Sequence, residues 1–160
     1  MEPRIHYAKT GDGLRVAYQR AGSGQPLVLL HGFIADSRVW RRQMEDLSRD
    51  FDVVAWDAPG CGQSSDPPEE FTMAEFADSL AGLIEHSGVP SAHVLGLSWG
   101  GTLAMQFHRK YPASVRSLIL ADTYAGMGGL ARAGGGGAEA GEVPARVGAT
   151  GCGMGARVGA

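Results

Sequence analysis

Ser98 stands in the pentapeptide Gly96-Leu97-Ser98-Trp99-Gly100, and a serine so flanked is a candidate nucleophile. Three fixed positions in five recur by chance, so the flanking sequence matters. The pentapeptide lies between an apolar run, 92–97, and a stretch that reads as helix. A strand that turns at once into a helix can hold a serine in a strained bend with its hydroxyl in solvent. Glycines at 96 and 100 would let neighbouring backbone pass close to it. The helix would aim its first amides at any negative charge formed there. The same five residues also fit a tight strand-to-helix turn with an incidental serine.

A second signal is His31-Gly32-Phe33, directly after the apolar run 27–30. A loop at that place can turn the Phe33 amide toward the serine, and the Trp99 amide would supply a second donor. Two such donors make an oxyanion hole, each worth about 3 kcal/mol of transition-state stabilisation. We read His31 as a brace for its loop rather than as a proton carrier. The third signal is Asp57-Ala-Pro-Gly60-Cys-Gly62-Gln-Ser64. Its Gly60-x-Gly62 hints at a dinucleotide loop, but no third glycine follows and Asp66-Pro67-Pro68 blocks an immediate helix. Gly96 and Gly101 have P-loop spacing, yet Thr102 stands where the lysine belongs. Neither phosphate reading survives.

A serine hydroxyl is a poor nucleophile until a base takes its proton. The histidines are 6, 31, 86, 93 and 108, and only His108 follows Ser98. Ten residues along one helix is roughly 15 Å, whereas a base must sit within about 3 Å. His93 opens a strand, away from its C-terminal end, and His86 closes a helix. None is placed to serve. Asp122, at the end of the run 115–121, is the one candidate acid; otherwise it caps a loop.

The elements that must position these residues read plainly. Residues 4–9 and 14–20 are short strands around a Gly11-Asp12-Gly13 turn. Runs 27–30, 52–56, 92–97 and 115–121 are apolar enough to be strands buried on both faces. Val39, Trp40, Met44 and Leu47 recur at helical spacing, and a turn-rich loop fills 57–71. Thr72-Met73-Ala74-Glu75 is a capping box that opens a helix ended by Gly88 and Pro90. Another helix runs from the serine to about Lys110. Strands alternating with helices argue a mostly parallel sheet covered on both faces, with the opening hairpin at one edge.

Composition narrows the functions. The 160 residues carry 14 basic and 17 acidic side chains, a net charge of −3, so no nucleic-acid footprint is present. No apolar run is long enough to span a membrane, and residues 1–6 lack the apolar core of a secretory signal, so a cytoplasmic setting is expected. Cys61 and Cys152 are too few and too far apart to read as a disulfide framework, and no metal motif appears. Glycine is abnormal: 13 of its 25 copies lie in residues 126–160. That segment has no aromatic residue and repeats Ala-Arg-Val-Gly-Ala at 145–149 and 156–160. It offers too little apolar surface to offset its ordering entropy, so a Gly/Ala-rich disordered tail is expected there.

The loop at His31-Gly32, the turn Asp57-x-x-Gly60-x-Gly62-x-Ser64 and the serine bend arrive in one order, each at a strand end. In this the chain resembles the α/β-hydrolase family, most closely its esterase-, lactonase- and haloperoxidase-like members, over residues 4 to about 124. The resemblance implies Ser98 as nucleophile, Phe33 and Trp99 as oxyanion donors, no cofactor, and a small-molecule ester or lactone as partner. Members with an aspartate nucleophile, such as dehalogenases and epoxide hydrolases, are disfavoured by the serine at 98. The family order is serine, acid, histidine, so the expectation is an incomplete fold: residues 1–125 as the first part of such a domain, cut after the sixth strand, with an unrelated tail of the kind a frameshift would produce. Activity of this chain would then be slight or absent. The alternatives are a non-catalytic truncated product and a hydrolase-like module that binds a small molecule without turnover. Oligomeric state is not set by the sequence.

Overall fold

The computed structural model describes residues 4–125. The expectations for 126–160, including Cys152, concern residues outside that range. Six strands form one sheet: β1 (Ile5–Lys9), β2 (Arg15–Ala21), β3 (Gln25–Leu30), β4 (Phe51–Trp56), β5 (Ala92–Leu97) and β6 (Val115–Ala121). Their spatial order is β1-β2-β4-β3-β5-β6. The four strands from β4 to β6 run parallel, and β1 and β2 add the antiparallel edge that the hairpin signal predicts.

Each face of the sheet has its own core. Val28, Leu30, Val54, Trp56 and Val94 pack under α2 (Met73–His86) and α3 (Trp99–Lys110), against Leu80, Leu83, Leu103 and Phe107. On the opposite face Leu27, Leu29, Val53 and Ala55 meet Trp40 and Met44. Helices therefore cover both faces, as alternating buried strands demand. Burying one such side chain fully is worth about 1.5–3 kcal/mol, so these two layers dominate the stability.

Several strand ends move by one residue, and two differences from the sequence reading are larger. The stretch 39–47 is not one helix but a 3₁₀ turn (Ser37–Trp40) followed by α1 (Arg41–Leu47). Asp36 explains the break: its side chain accepts from the Arg38 amide and caps the tight turn first. Strand β3 begins at Gln25, two residues early, and takes in Pro26. Proline is tolerated there because β5 pairing starts only at Leu27, opposite His93.

The Thr72 box forms as the sequence spells it. The hydroxyl accepts from the Glu75 amide at 3.3 Å, and the Glu75 carboxylate accepts from the Thr72 amide at 2.7 Å. Asp78 on α2 binds Lys110 and the Tyr111 hydroxyl at the end of α3, which locks the two helices together. That hydrogen bond holds the Tyr111 phenol protonated, pushed up to about 12. Beyond α3, β6 pairs with β5 alone, and among the described residues no strand covers its other edge. Its Ile119 and Leu120 are exposed. No helix among the described residues is long and apolar enough to cross a membrane.

Candidate active site

Ser98 occupies the single residue between β5 and α3, with φ 53° and ψ −118°. Positive φ costs a residue with a β-carbon about 1–2 kcal/mol, so the surroundings must hold it there. They do so through its backbone. The Ser98 amide donates to the Ala121 carbonyl at 2.9 Å. Its carbonyl accepts from the Gly101 amide at 2.9 Å and from the Thr123 hydroxyl at 2.6 Å. The side chain is left out of this scheme. At the start of α2 the Thr72 hydroxyl caps the helix, whereas the Ser98 side chain makes no cap bond to α3. The hydroxyl sits on a half-buried residue at the C-terminal end of the parallel strands.

Close packing makes the bend possible. A β-carbon on Gly96 would fall 2.5 Å from the Gly100 carbonyl carbon and the Gly101 Cα. One on Gly100 would fall 2.6 Å from the His31 carbonyl oxygen and closer still to that of Leu30. Strand, helix and the loop after β3 are thus in backbone contact at one point.

That loop brings Phe33 to the site. The Gly32 backbone lies against the serine, where an added β-carbon would stand 3.6 Å from the Ser98 Cβ. Phe33 follows, half exposed, then Ile34 at φ 53°, an uncommon conformation for a β-branched residue. Trp99 heads α3, so its amide has no acceptor within the helix. Its ring is buried edge-on against Phe76, 5.2 Å between centroids. Ser98, Gly32-Phe33 and Trp99 are therefore neighbours. Asp122 lies on the same sheet edge, exposed and at φ 45°, next to the Thr123 that holds the serine carbonyl.

His31 is fully buried, and both ring nitrogens are engaged. The Ala58 amide donates to Nε2 at 3.0 Å. Nδ1 therefore carries the proton and donates to the Gly32 carbonyl at 2.8 Å. Burial holds this imidazole below its ordinary value, so it stays neutral, and it has no lone pair left for a serine proton. The other four histidines stand elsewhere. His6 stacks on Tyr18 in the edge hairpin, and His86 meets Tyr18 edge-on at the end of α2. His93 is at the start of β5, and His108 is in the last turn of α3.

Sequence reasoning recognised the Asp57 turn without finding its task. The buried Asp57 carboxylate accepts from the Ser37 amide at 2.8 Å and from the Gln63 amide at 2.8 Å. With the bond from Ala58 to His31, it laces the loop after β4 to the loop after β3. Gly62, at φ 50°, has no room for a β-carbon against that carboxylate. Thr123 was missed altogether, because nothing local marks a threonine that bonds a carbonyl 25 residues away. Asp36 was missed too. The Arg38 guanidinium bonds its carboxyl and holds it below the usual carboxylate range. Among the described residues no cluster of side chains could hold a metal ion.

The chain is similar to several known proteins. A sequence model of the family described as "alpha/beta hydrolase fold" matches residues 25–135. A soluble epoxide hydrolase of a Corynebacterium species is 34% identical over 122 residues, which is 76% of this chain and 43% of that protein. The dihydrolipoyllysine-residue acetyltransferase component of the acetoin cleaving system of Cupriavidus necator is 40% identical over 110 residues, 68% of this chain and 29% of that one. The solved structure of a thermophilic esterase from Thermogutta terrifontis superposes with a TM-score of 0.72 at 38% identity, covering 76% of this chain and 46% of that one. The chain spans less than half the length of each of these relatives. On the family match, the sheet order and the bend at residue 98 together, the chain belongs to the α/β-hydrolase fold family.

Proposed function

We propose that Ser98 is the nucleophile of a hydrolase for small carboxylic esters or lactones, and that Phe33 and Trp99 supply the backbone donors for the oxyanion. The observation that carries this is the positive-φ serine whose hydroxyl caps nothing and whose neighbour is the Gly32-Phe33 turn. The Ser98 oxygen would add to the carbonyl carbon as the carbonyl oxygen takes up negative charge between the two amides. Collapse would expel the alcohol, its oxygen taking up the proton that the serine gave to water, and leave an acyl-serine for water to cleave. No imidazole of this chain stands ready to take the serine proton, so turnover by this chain is slow: the oxyanion donors and binding alone leave about 10³–10⁴-fold over water. The Thermogutta esterase supports the ester reading. Epoxide opening, named for the Corynebacterium relative, fits less well with a serine and not a carboxylate at position 98.

The test is multiple-turnover hydrolysis of p-nitrophenyl butyrate beside styrene oxide. Slow ester cleavage above buffer should appear, fall to background in Ser98→Ala, and have no counterpart with the epoxide. Equal ester rates in Ser98→Ala, or diol from the epoxide, would count against the reading.

A further inference from the structure

A second serine–imidazole pair lies at the opposite end of the sheet, where the parallel strands begin. His93 and Ser117 face each other across β5 and β6. The Ser117 hydroxyl is 2.8 Å from His93 Nδ1, and His93 Nε2 is 2.9 Å from Gln25 Oε1 on β3. The Arg116 guanidinium bonds the Ser91 hydroxyl at 3.0 Å and approaches the same Gln25 oxygen at 3.5 Å. In the uncharged ring these contacts suit one arrangement of protons. A guanidinium can only donate, so the amide of Gln25 turns its oxygen inward. That oxygen can only accept, so Nε2 of the neutral ring carries the hydrogen. The lone pair is then on Nδ1, and Ser117 is the donor.

The hydroxyl is also reachable. Helix α1 has seven residues, and its Met44 packs with Leu27 and Leu29 on this face of the sheet. Ser117 and Gln25 are exposed and His93 is half-buried, with the Phe51 ring set edge-on to the imidazole. Ser98 lies five positions beyond His93, roughly 16 Å at the rise of a strand, so the two serines are independent.

We propose that Ser117 is a second nucleophile, which accepts an acyl group from activated small-molecule esters with His93 as its base and Gln25 as the positioning residue. The Ser117 oxygen bonds to the ester carbonyl carbon as its proton passes to His93 Nδ1. The ester C–O bond then breaks, and the departing oxygen takes that proton, leaving acyl-Ser117, a free alcohol and a neutral ring. The product is an acyl-serine: a single modification, not turnover.

The test treats the full chain carrying Ser98→Ala with p-nitrophenyl acetate and maps the adduct after trypsin. Cleavage after Arg116 makes Ser117 the first residue of peptide 117–132 and its only serine. Acetyl on Ser117 is expected. His93→Gln keeps a partner for the hydroxyl but no base, and should slow labelling at least tenfold, in line with the ~10²–10⁴ of general-base assistance. If His93→Gln does not fold, Gln25→Met is read instead, since it leaves the imidazole but releases its tautomer; labelling should fall several-fold. An unmodified Ser117, or an undiminished rate in the folded variant, overturns the proposal.

Discussion

Gly100→Ala should leave no folded chain. The new β-carbon would sit 2.6 Å from the His31 carbonyl oxygen and nearer to that of Leu30, both main-chain atoms at the end of a central strand. A flexible side chain could move aside, but β3 cannot, because β4 and β5 pair with it on either side. The helix would have to lift off, and Trp99, Leu103 and Phe107 would leave the core with it. We expect a loss of more than ~4 kcal/mol, against total stabilities of ~5–15 kcal/mol for natural domains. The control is Gly11→Ala, which meets nothing within 4 Å. Denaturant melts compare the two: near-wild-type behaviour of Gly100→Ala would mean that α3 does not touch the loop after β3 as described.

Asp57→Ala should cost about 3–5 kcal/mol, through hydrogen bonds rather than volume. Two amides, the buried one of Ser37 and the part-buried one of Gln63, lose their acceptor at once. Bonds to a charged group contribute about 1.5–3 kcal/mol each, and a buried donor left alone adds its own desolvation cost. Asp57→Asn should recover only part of this, since its amide nitrogen would face one of the two donors. Asp36→Ala removes a partly exposed cap and should cost nearer 1 kcal/mol. Urea unfolding of the three variants checks the order; equal small losses would show that the carboxylate does not bind the two loops together.

What the sequence made legible was local. The Thr72–Glu75 box, the hairpin turn and the Ser98 bend each depend on a few consecutive residues, and each stands where those residues put it. The parallel sheet was readable because Leu27–Leu30, Val53–Trp56 and Val94 are apolar in succession, as strands buried on both sides must be. Long-range polar contacts were not readable. No periodicity announces that Thr123 will hold the Ser98 carbonyl, that Asp57 will bind Ser37, or that His93 will meet Ser117. The split of 37–47 into a 3₁₀ turn and a short helix was hidden for a related reason. The spacing of Val39, Trp40, Met44 and Leu47 suits one helix, but capping by Asp36 and the Trp40 backbone at φ −90°, ψ 4° interrupt it.

The role given to Ser98 joins two statements: its hydroxyl is presented to a carbonyl, and no base assists it. Intact mass and peptide mapping after a fluorophosphonate is added measure both at once. An adduct on Ser98 is expected, formed orders of magnitude more slowly than on a serine hydrolase with its histidine in place. Labelling at ordinary enzyme rates would reveal a base that the described geometry lacks, and the absence of any Ser98 adduct after prolonged exposure would remove the nucleophile itself.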